Sequence, residues 1–276
     1  MKILSLGKMT NRKKLNVALT IAGSDSGGGA GIQADLKTFS AVGVHGTSAI
    51  TCITAQNPSS VRSVQPVRPA IVRDQIDAVL DGFPVRAAKT GMLYSKAIIK
   101  AVAASLRARP ELPVVVDPVM VATSGARLLQ PNAVCVLQDE LLPLAALVTP
   151  NVPEAEILAD ARIRTIEDLR EAAWVIYKRF GCAVLAKGGH LTGLREAVDL
   201  FTDGKIELLL TAQFVRGVST HGTGCTYSAA ITAWLARGHD LTRAVISAKD
   251  HITVAIAGSR KAGEHSVLSW DFSGIR

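Results

Sequence analysis

Val17-Ala18-Leu19-Thr20-Ile21-Ala22 runs directly into Gly23-Ser24-Asp25-Ser26-Gly27-Gly28-Gly29-Ala30-Gly31, and a helical pattern follows over residues 32–42. A short apolar run closed by glycines and then a helix is the first half of a βαβ unit. Gly43 stops the helix, and residues 46–55 read as the next strand, ended by Gln56-Asn57-Pro58. The alternation continues outward from there. Ile71, Val72, Ile76, Val79 and Leu80 form one helical stripe over residues 70–80, a strand is predicted at 86–89, a helix at 97–106 and a buried strand at 114–116. Residues 131–142 read as helical and 146–149 as a strand. Thr165 with Asp168 marks the start of a helix to residue 180, and 182–187 is the next strand. Asp203-Gly204 between residues 197–202 and 205–210 predicts a hairpin. Two helices close the chain, one in the apolar segment 226–237 and one over 241–256 capped by Asp240. The pattern predicts an α/β fold: three layers, a mostly parallel sheet with an antiparallel edge, and helices on both faces.

Composition agrees. A hydrophobic content of 48% suits strands buried on both faces, and 276 residues suit one large α/β domain. The net charge of +8 invites a nucleic-acid reading, but Lys and Arg are scattered and aromatics, needed for base stacking, make up only 4%. An anionic small substrate accounts for the same excess. The four cysteines, at 52, 135, 182 and 225, lack paired spacing, so neither a disulfide framework nor a cysteine metal site is expected, and a cytoplasmic location follows. Residues 1–14 are basic with too short an apolar run for a signal peptide, and they read as a flexible extension ahead of a single domain over 15–276. No stretch is long and apolar enough to span a bilayer, so no membrane partner is expected.

Ser219-Thr220-His221-Gly222-Thr223-Gly224-Cys225 precedes the helical segment at 226. Glycines and small hydroxyl residues ahead of a helix bring unpaired N–H groups and a positive dipole end around an anion. Cys225 stands at that helix start, where a thiol pKa tends to fall, so a phosphate cradle with a base beside it points to phosphoryl transfer. His221 could be a base, but its flanking position favours a loop-shaping or solvent-facing role. In open α/β sheets ligands bind beyond the carboxyl ends of the strands, and here those ends carry Asp25, Gln56, Lys89 to Met92, Asp117, Asn151 with Glu154, and Lys187 to His190. Singly, each has an ordinary role: Asp25 as a turn residue, Gln56 as a strand terminator, Glu154 in the first turn of a helix, and Cys225 as packing. Together they form a polar rim. The chain has no Gly-x-x-x-x-Gly-Lys-Ser/Thr, and the turn at 27–31 does not fit Gly-x-Gly-x-x-Gly.

The motifs TIAGSDSGGGAGIQAD (20–35), KTGML (89–93), DPVMVATSG (117–125), TPNVPEAE (149–156), KGGHL (187–191) and THGTGCT (220–226) resemble the hydroxymethylpyrimidine/phosphomethylpyrimidine kinases, a thiamine-pathway family of the ribokinase-like superfamily. The resemblance implies ATP-dependent phosphorylation of 4-amino-5-hydroxymethyl-2-methylpyrimidine and then of its monophosphate. It implies that Gln56 bonds the aminopyrimidine, with Asp25, Ala30 and Met92 lining the pocket. Lys187 and Thr220 would bind ATP, and Glu154 and Asp117 would hold magnesium. The amides of Gly222, Thr223 and Gly224 would stabilise the transferring phosphoryl group, and Cys225 would be the base. The resemblance further implies a homodimer. The alternatives are a pyridoxal or pyridoxine kinase of the same fold and, from another class, a non-catalytic pyrimidine or nucleotide sensor.

Overall fold

The computed structural model describes residues 14–121, 127–189, 191, 195–215 and 221–270. The expected α/β architecture is present. Nine strands form one sheet in the order β3-β2-β1-β4-β5-β6-β7-β8-β9: β1 is Val17–Asp25, β2 His45–Asn57, β3 Ser60–Pro66, β4 Val85–Thr90, β5 Val114–Val116, β6 Leu147–Val148, β7 Ala183–Lys187, β8 Glu196–Thr202 and β9 Glu207–Gln213. The strands from β2 to β7 in that order are parallel, whereas β3, β8 and β9 run antiparallel to their neighbours.

The sheet's two faces follow from the strands' period of two. Val114, Val116, Val148 and Val184 point to one layer, formed by α2 (Pro69–Gly82), α3 (Lys96–Arg107), α5 (Val152–Ala159) and α6 (Ile166–Phe180). Val115, Leu147 and Leu185 point to the other, packed by α7 (Thr223–Ala236) and α8 (Leu241–Ala257), with α1 (Gly31–Ala41) beside α7. Thr165 and Asp168 form the expected capping box on α6, and Asp240 caps α8 through Arg243 N–H at 2.8 Å. Among the described residues, no helix is long and apolar enough to cross a membrane.

Four local differences from the sequence expectations have physical causes. The sheet has a second antiparallel edge: β2 continues to Asn57, whose Oδ1 accepts the N–H groups of Ser59 and Ser60 at 2.9 Å and turns the chain into β3. Residues 131–144, expected as one helix to 142, are a 3-10 turn, the one-turn α4 (Val134–Val136), a π-type turn (Leu137–Leu141) and a second 3-10 turn holding Pro143. Proline cannot donate to an i−4 carbonyl, so a regular α-helix cannot run through it. The β8–β9 connection is longer than two residues because Asp203 Oδ1 accepts from both Lys205 and Ile206 N–H. A small hairpin of β10 (Arg260–Ala262) and β11 (His265–Val267), absent from the sequence reading, follows α8.

The strand order fixes where a ligand fits. From β1 the chain moves outward to β2 and β3, then crosses back to place β4 on the other side of β1. Neighbouring loops therefore diverge at the carboxyl ends of β1 and β4, opening a crevice there.

Candidate active site

A cavity occupies that crevice, lined among others by Asp25, Ala30, Gln56, Lys89, Met92 and Cys225. Two β-bulges shape its rim, one between Ala22 and Ser24 against β2 and one between Ala55 and Gln56 against β3. An extra residue in a strand re-aims the side chains beside it. Gln56 is held through its backbone: its N–H donates to Ser26 Oγ at 2.8 Å and its carbonyl accepts from the same hydroxyl at 2.6 Å. Its side-chain amide has no hydrogen-bond partner among the described residues, leaving both donor and acceptor for a ligand. Met92 packs with Cys52 and Leu128 as an apolar wall. A Cβ on Gly23 would come within 2.7 Å of Cys52 Sγ, so glycine is required where β1 passes this wall.

Asp25 acts on the loop more than on a ligand. Its Oδ1 accepts Gly27 N–H at 2.7 Å, and its Oδ2 accepts Gly29 and Ala30 N–H at 3.1 and 2.8 Å. His221 Nε2 lies 3.3 Å from the same Oδ2. Burial disfavours the Asp25 carboxylate, but the bonds from His221, Gly27 and Ala30 hold its pKa below the ordinary value. These contacts fasten the 27–30 turn to the anion loop, where a Cβ on Gly222 (φ 80°) would collide with Gly29 O at 1.8 Å. His221 thus has the loop-shaping position expected of it.

Helix α7 starts earlier than the sequence suggested, at Thr223 with Gly222 as N-cap, so Cys225 lies in its first turn. Of that first turn, Cys225 lines the cavity. The expectation that the helix start lowers the thiol pKa is corrected by the structure: burial pushes Cys225 up to about 12, and Lys89 only partly offsets it. Gly224 backs onto the next group of residues, since a Cβ there would approach Lys187 Nζ to 3.3 Å and Asp117 Oδ2 to 3.9 Å.

Lys187 ends β7 and donates to Asp117 Oδ1 at 3.1 Å. Thr149 Oγ1 donates to the same oxygen at 3.2 Å, and Ser228 Oγ reaches Asp117 Oδ2 at 3.2 Å. Burial opposes ionisation of Asp117, but Lys187 and Lys89 keep its pKa below the usual value. Burial also works against the Lys187 ammonium, and Asp117 and Glu154 more than compensate, so its pKa rises. Glu154 completes a capping box with Asn151: its Oε2 accepts Asn151 N–H at 2.9 Å, and Asn151 Oδ1 accepts Glu154 N–H at 3.0 Å. Its Oε1 accepts Met120 N–H at 3.3 Å. Burial, opposed by Lys187 and reinforced by Asp117, raises Glu154 to about 7.

The structure therefore gathers Gln56, Asp25, Ala30, Met92 and Cys225 around one cavity and sets Lys187, Asp117 and Glu154 beside its far end. Thr220, assigned to ATP from the sequence, lies outside the described residues. Sequence reasoning gave no role to Ser228, three positions after Cys225 on the same helix face, whose hydroxyl lies 3.1 Å from the carbonyls of Gly224 and Cys225. It also passed over Asp35, buried one turn into α1 with its oxygens on Lys89 and Thr20. A lone aspartate at a helical core position was the available signal.

Comparison with known proteins accords with this geometry. A hydroxymethylpyrimidine/phosphomethylpyrimidine kinase of Rhizobium meliloti (strain 1021) is 52% identical over 88% of this chain and 91% of its own. The thiamine biosynthesis bifunctional protein ThiED of Geobacter sulfurreducens is 49% identical over 89% of this chain, which spans 50% of that longer relative. An ADP complex of Bacillus subtilis pyridoxal kinase superposes with a TM-score of 0.85 at 38% identity, covering 93% of this chain and 97% of that one. That likeness gives the ribokinase-like fold. Residues 25–269 match the phosphomethylpyrimidine kinase family, from Asp25 at the end of β1 to Ser269 beyond α8, and the chain belongs to that family.

Proposed function

We propose that this chain transfers the γ-phosphoryl group of ATP to the hydroxyl of 4-amino-5-hydroxymethyl-2-methylpyrimidine, and then phosphorylates the monophosphate to the diphosphate, within thiamine biosynthesis. The observation that carries the reading is that Gln56, Met92 and Cys225, the last in the first turn of α7, line one cavity. The Gln56 amide offers a donor and an acceptor to a ring nitrogen and its neighbouring amine, and Met92 packs against the ring. The amides of Gly222, Thr223 and Gly224 face the phosphoryl group in flight, where fixed donors act without reorganisation. Lys187 neutralises the phosphate chain of ATP, with Thr220 contributing from the anion loop. Cys225 accepts the hydroxyl proton.

Glu154 and Asp117 fit a magnesium ion held through water: both are hard oxygen donors, and a Glu154 raised to about 7 is a carboxyl whose ionised form calls for a cation beyond Lys187. Magnesium there supplies charge neutralisation to the β- and γ-phosphates. A homodimer, a cytoplasmic location and a single kinase domain over residues 15–276 belong to the same proposal.

Product analysis tests it. Incubation with the pyrimidine alcohol, ATP and magnesium is expected to yield first the monophosphate and then the diphosphate; binding of the alcohol with no ADP formed would establish a sensor instead. The likeness to pyridoxal kinase favours one second reading, pyridoxal phosphorylation at the same cavity. In competition, a higher kcat/KM for pyridoxal than for the pyrimidine would make that the main activity. Cys225→Ala is expected to lower kcat by about 10²-fold or more with the KM for ATP little changed; near-normal turnover would remove Cys225 from the mechanism.

A further inference from the structure

Among the described residues that line the cavity, Lys89 is the one lysine or arginine, and its side chain is wholly buried. An ammonium carries three donors. Among the described residues, Lys89 Nζ makes one hydrogen bond, 2.7 Å to Asp35 Oδ1. Asp35 in turn accepts Thr20 Oγ1 at 2.6 Å through Oδ2, so strand β1 and helix α1 together fix the carboxylate and, through it, the lysine. The end of the side chain lies over Gly91, where an added Cβ would come within 3.8 Å of Nζ. Among the described residues, two ammonium N–H groups are therefore uncommitted, beside a cavity that Cys225 also lines.

A buried ion pair is poor value as a stabiliser, because removing two charges from water costs about as much as their attraction returns, and apolar residues of the same volume often do better. The pair's position suggests another use. The proposed reaction requires Cys225 as thiolate, and burial alone favours the thiol. The charged groups around that sulfur are Lys89 from β4, Lys187 from β7, Asp35 from α1 and Asp117 at the end of β5; Asp35 and Asp117 oppose the thiolate, and the two lysines favour it. Of the two lysines, only Lys89 lines the cavity beside Cys225, while Lys187 is bonded to Asp117.

We propose that Lys89, held by Asp35 and Thr20, is a positioning residue for the base: its free N–H donors face Cys225 Sγ and hold the thiolate ahead of phosphoryl transfer. The substrate O–H bond then breaks as S–H forms, and the new O–P bond forms as the bond from the γ-phosphorus to the ADP oxygen breaks. The proposal rests on Cys225 being the base, and its test separates the two ideas.

The test reads the iodoacetamide labelling rate of Cys225, followed on its own peptide by mass spectrometry across pH, together with the pH profile of kcat. Asp35→Asn/Lys89→Met removes both charges at nearly constant volume. It is expected to slow labelling at pH 8 by about tenfold and to move the rising limb of kcat to higher pH. Asp35→Asn alone leaves Cys225 as a nearer partner for the lysine charge and is expected to speed labelling, the opposite sign. Lys89→Arg keeps the charge and is expected to restore labelling to within about threefold of the unmodified chain. Labelling unchanged in both Asn-containing variants, or moved in the reverse directions, overturns the proposal even if Cys225→Ala is inactive. Full turnover by Cys225→Ala overturns the base assignment instead, whatever the labelling rates show.

Discussion

Lys89 is the penultimate residue of β4 and Lys187 the last of β7, and each meets an aspartate, at 2.7 Å for Lys89–Asp35 and 3.1 Å for Lys187–Asp117. Lys89 and Asp35 have no exposed side-chain surface, whereas 14% of the Lys187 side chain remains open to solvent. Among the described residues, the Asp35 carboxylate has one further partner, Thr20, while Asp117 also engages Thr149 and Ser228. The inner pair is therefore closed, with each charge relying on the other. The outer pair is an open network at the phosphate end, where a ligand can enter and compete for Lys187. The same two residue types serve as a fixed electrostatic floor in one place and, in the proposed reaction, as a cation for phosphate in the other.

The comparison breaks most readily at the inner pair. Lys89→Met strands the Asp35 carboxylate in the core and is expected to cost about 3–5 kcal/mol in urea unfolding, while Asp35→Asn/Lys89→Met should recover most of that loss. A single variant as stable as the unmodified chain would show that water reaches Asp35 and that the floor is not closed.

Lys187→Met addresses the outer pair. A cation facing phosphate oxygens is expected to be worth about 10²–10³ in kcat/KM for ATP, and the stability loss should be smaller than for Lys89→Met because Asp117 keeps Thr149 and Ser228. Steady-state kinetics beside urea unfolding separates the two readouts. Equal stability losses with turnover preserved would reverse the roles assigned to the lysines.

Glu154 sharpens the same contrast through pH. With a folded pKa of about 7 against an ordinary 4.5, the folded chain binds more protons than the unfolded one between those values. Metal-free stability is therefore expected to fall as pH rises through that window. Magnesium favours the carboxylate, so the magnesium concentration giving half-maximal rate should drop by up to about tenfold from pH 6 to pH 8. Glu154→Gln should flatten both dependences. A magnesium requirement with the same pH dependence in Glu154→Gln would exclude Glu154 from the metal site.

The outer pair was legible in the sequence and the inner one largely was not. Lys187 and Asp117 sit at the ends of β-branched or apolar runs beside glycine and proline, where the period-two pattern stops and a polar rim becomes visible. Asp35 stands out only as a lone aspartate inside a helical stripe, and nothing local names its partner; the parallel pairing of β1 with β4 brings Lys89 to it across 54 positions. The strand β3 was missed for a similar reason. Its partner β2 was ended at a proline, although Asn57 uses that turn to start a hairpin. The pKa of Cys225 failed differently: position at a helix start was readable, but burial, which dominates the shift, is a property of the packed cavity.

The smallest predicted effect tests whether a local device at the outer pair does two jobs. Asn151 caps α5 by accepting Glu154 N–H, and Glu154 returns a bond to Asn151 N–H, so the cap also aims the Glu154 carboxyl. Asp240 caps α8 through Arg243 N–H, on a helix that carries none of the proposed ligands. Asn151→Ala and Asp240→Ala should each cost about 1 kcal/mol, since each removes one side-chain acceptor from a helix start. Only Asn151→Ala should also raise the magnesium concentration needed for half-maximal rate, because only there does the lost cap free a proposed ligand to change rotamer. If both variants lose the same stability and neither changes the magnesium requirement, the capping box holds the helix alone, and Glu154 is oriented by Met120 N–H rather than by its neighbour three residues back.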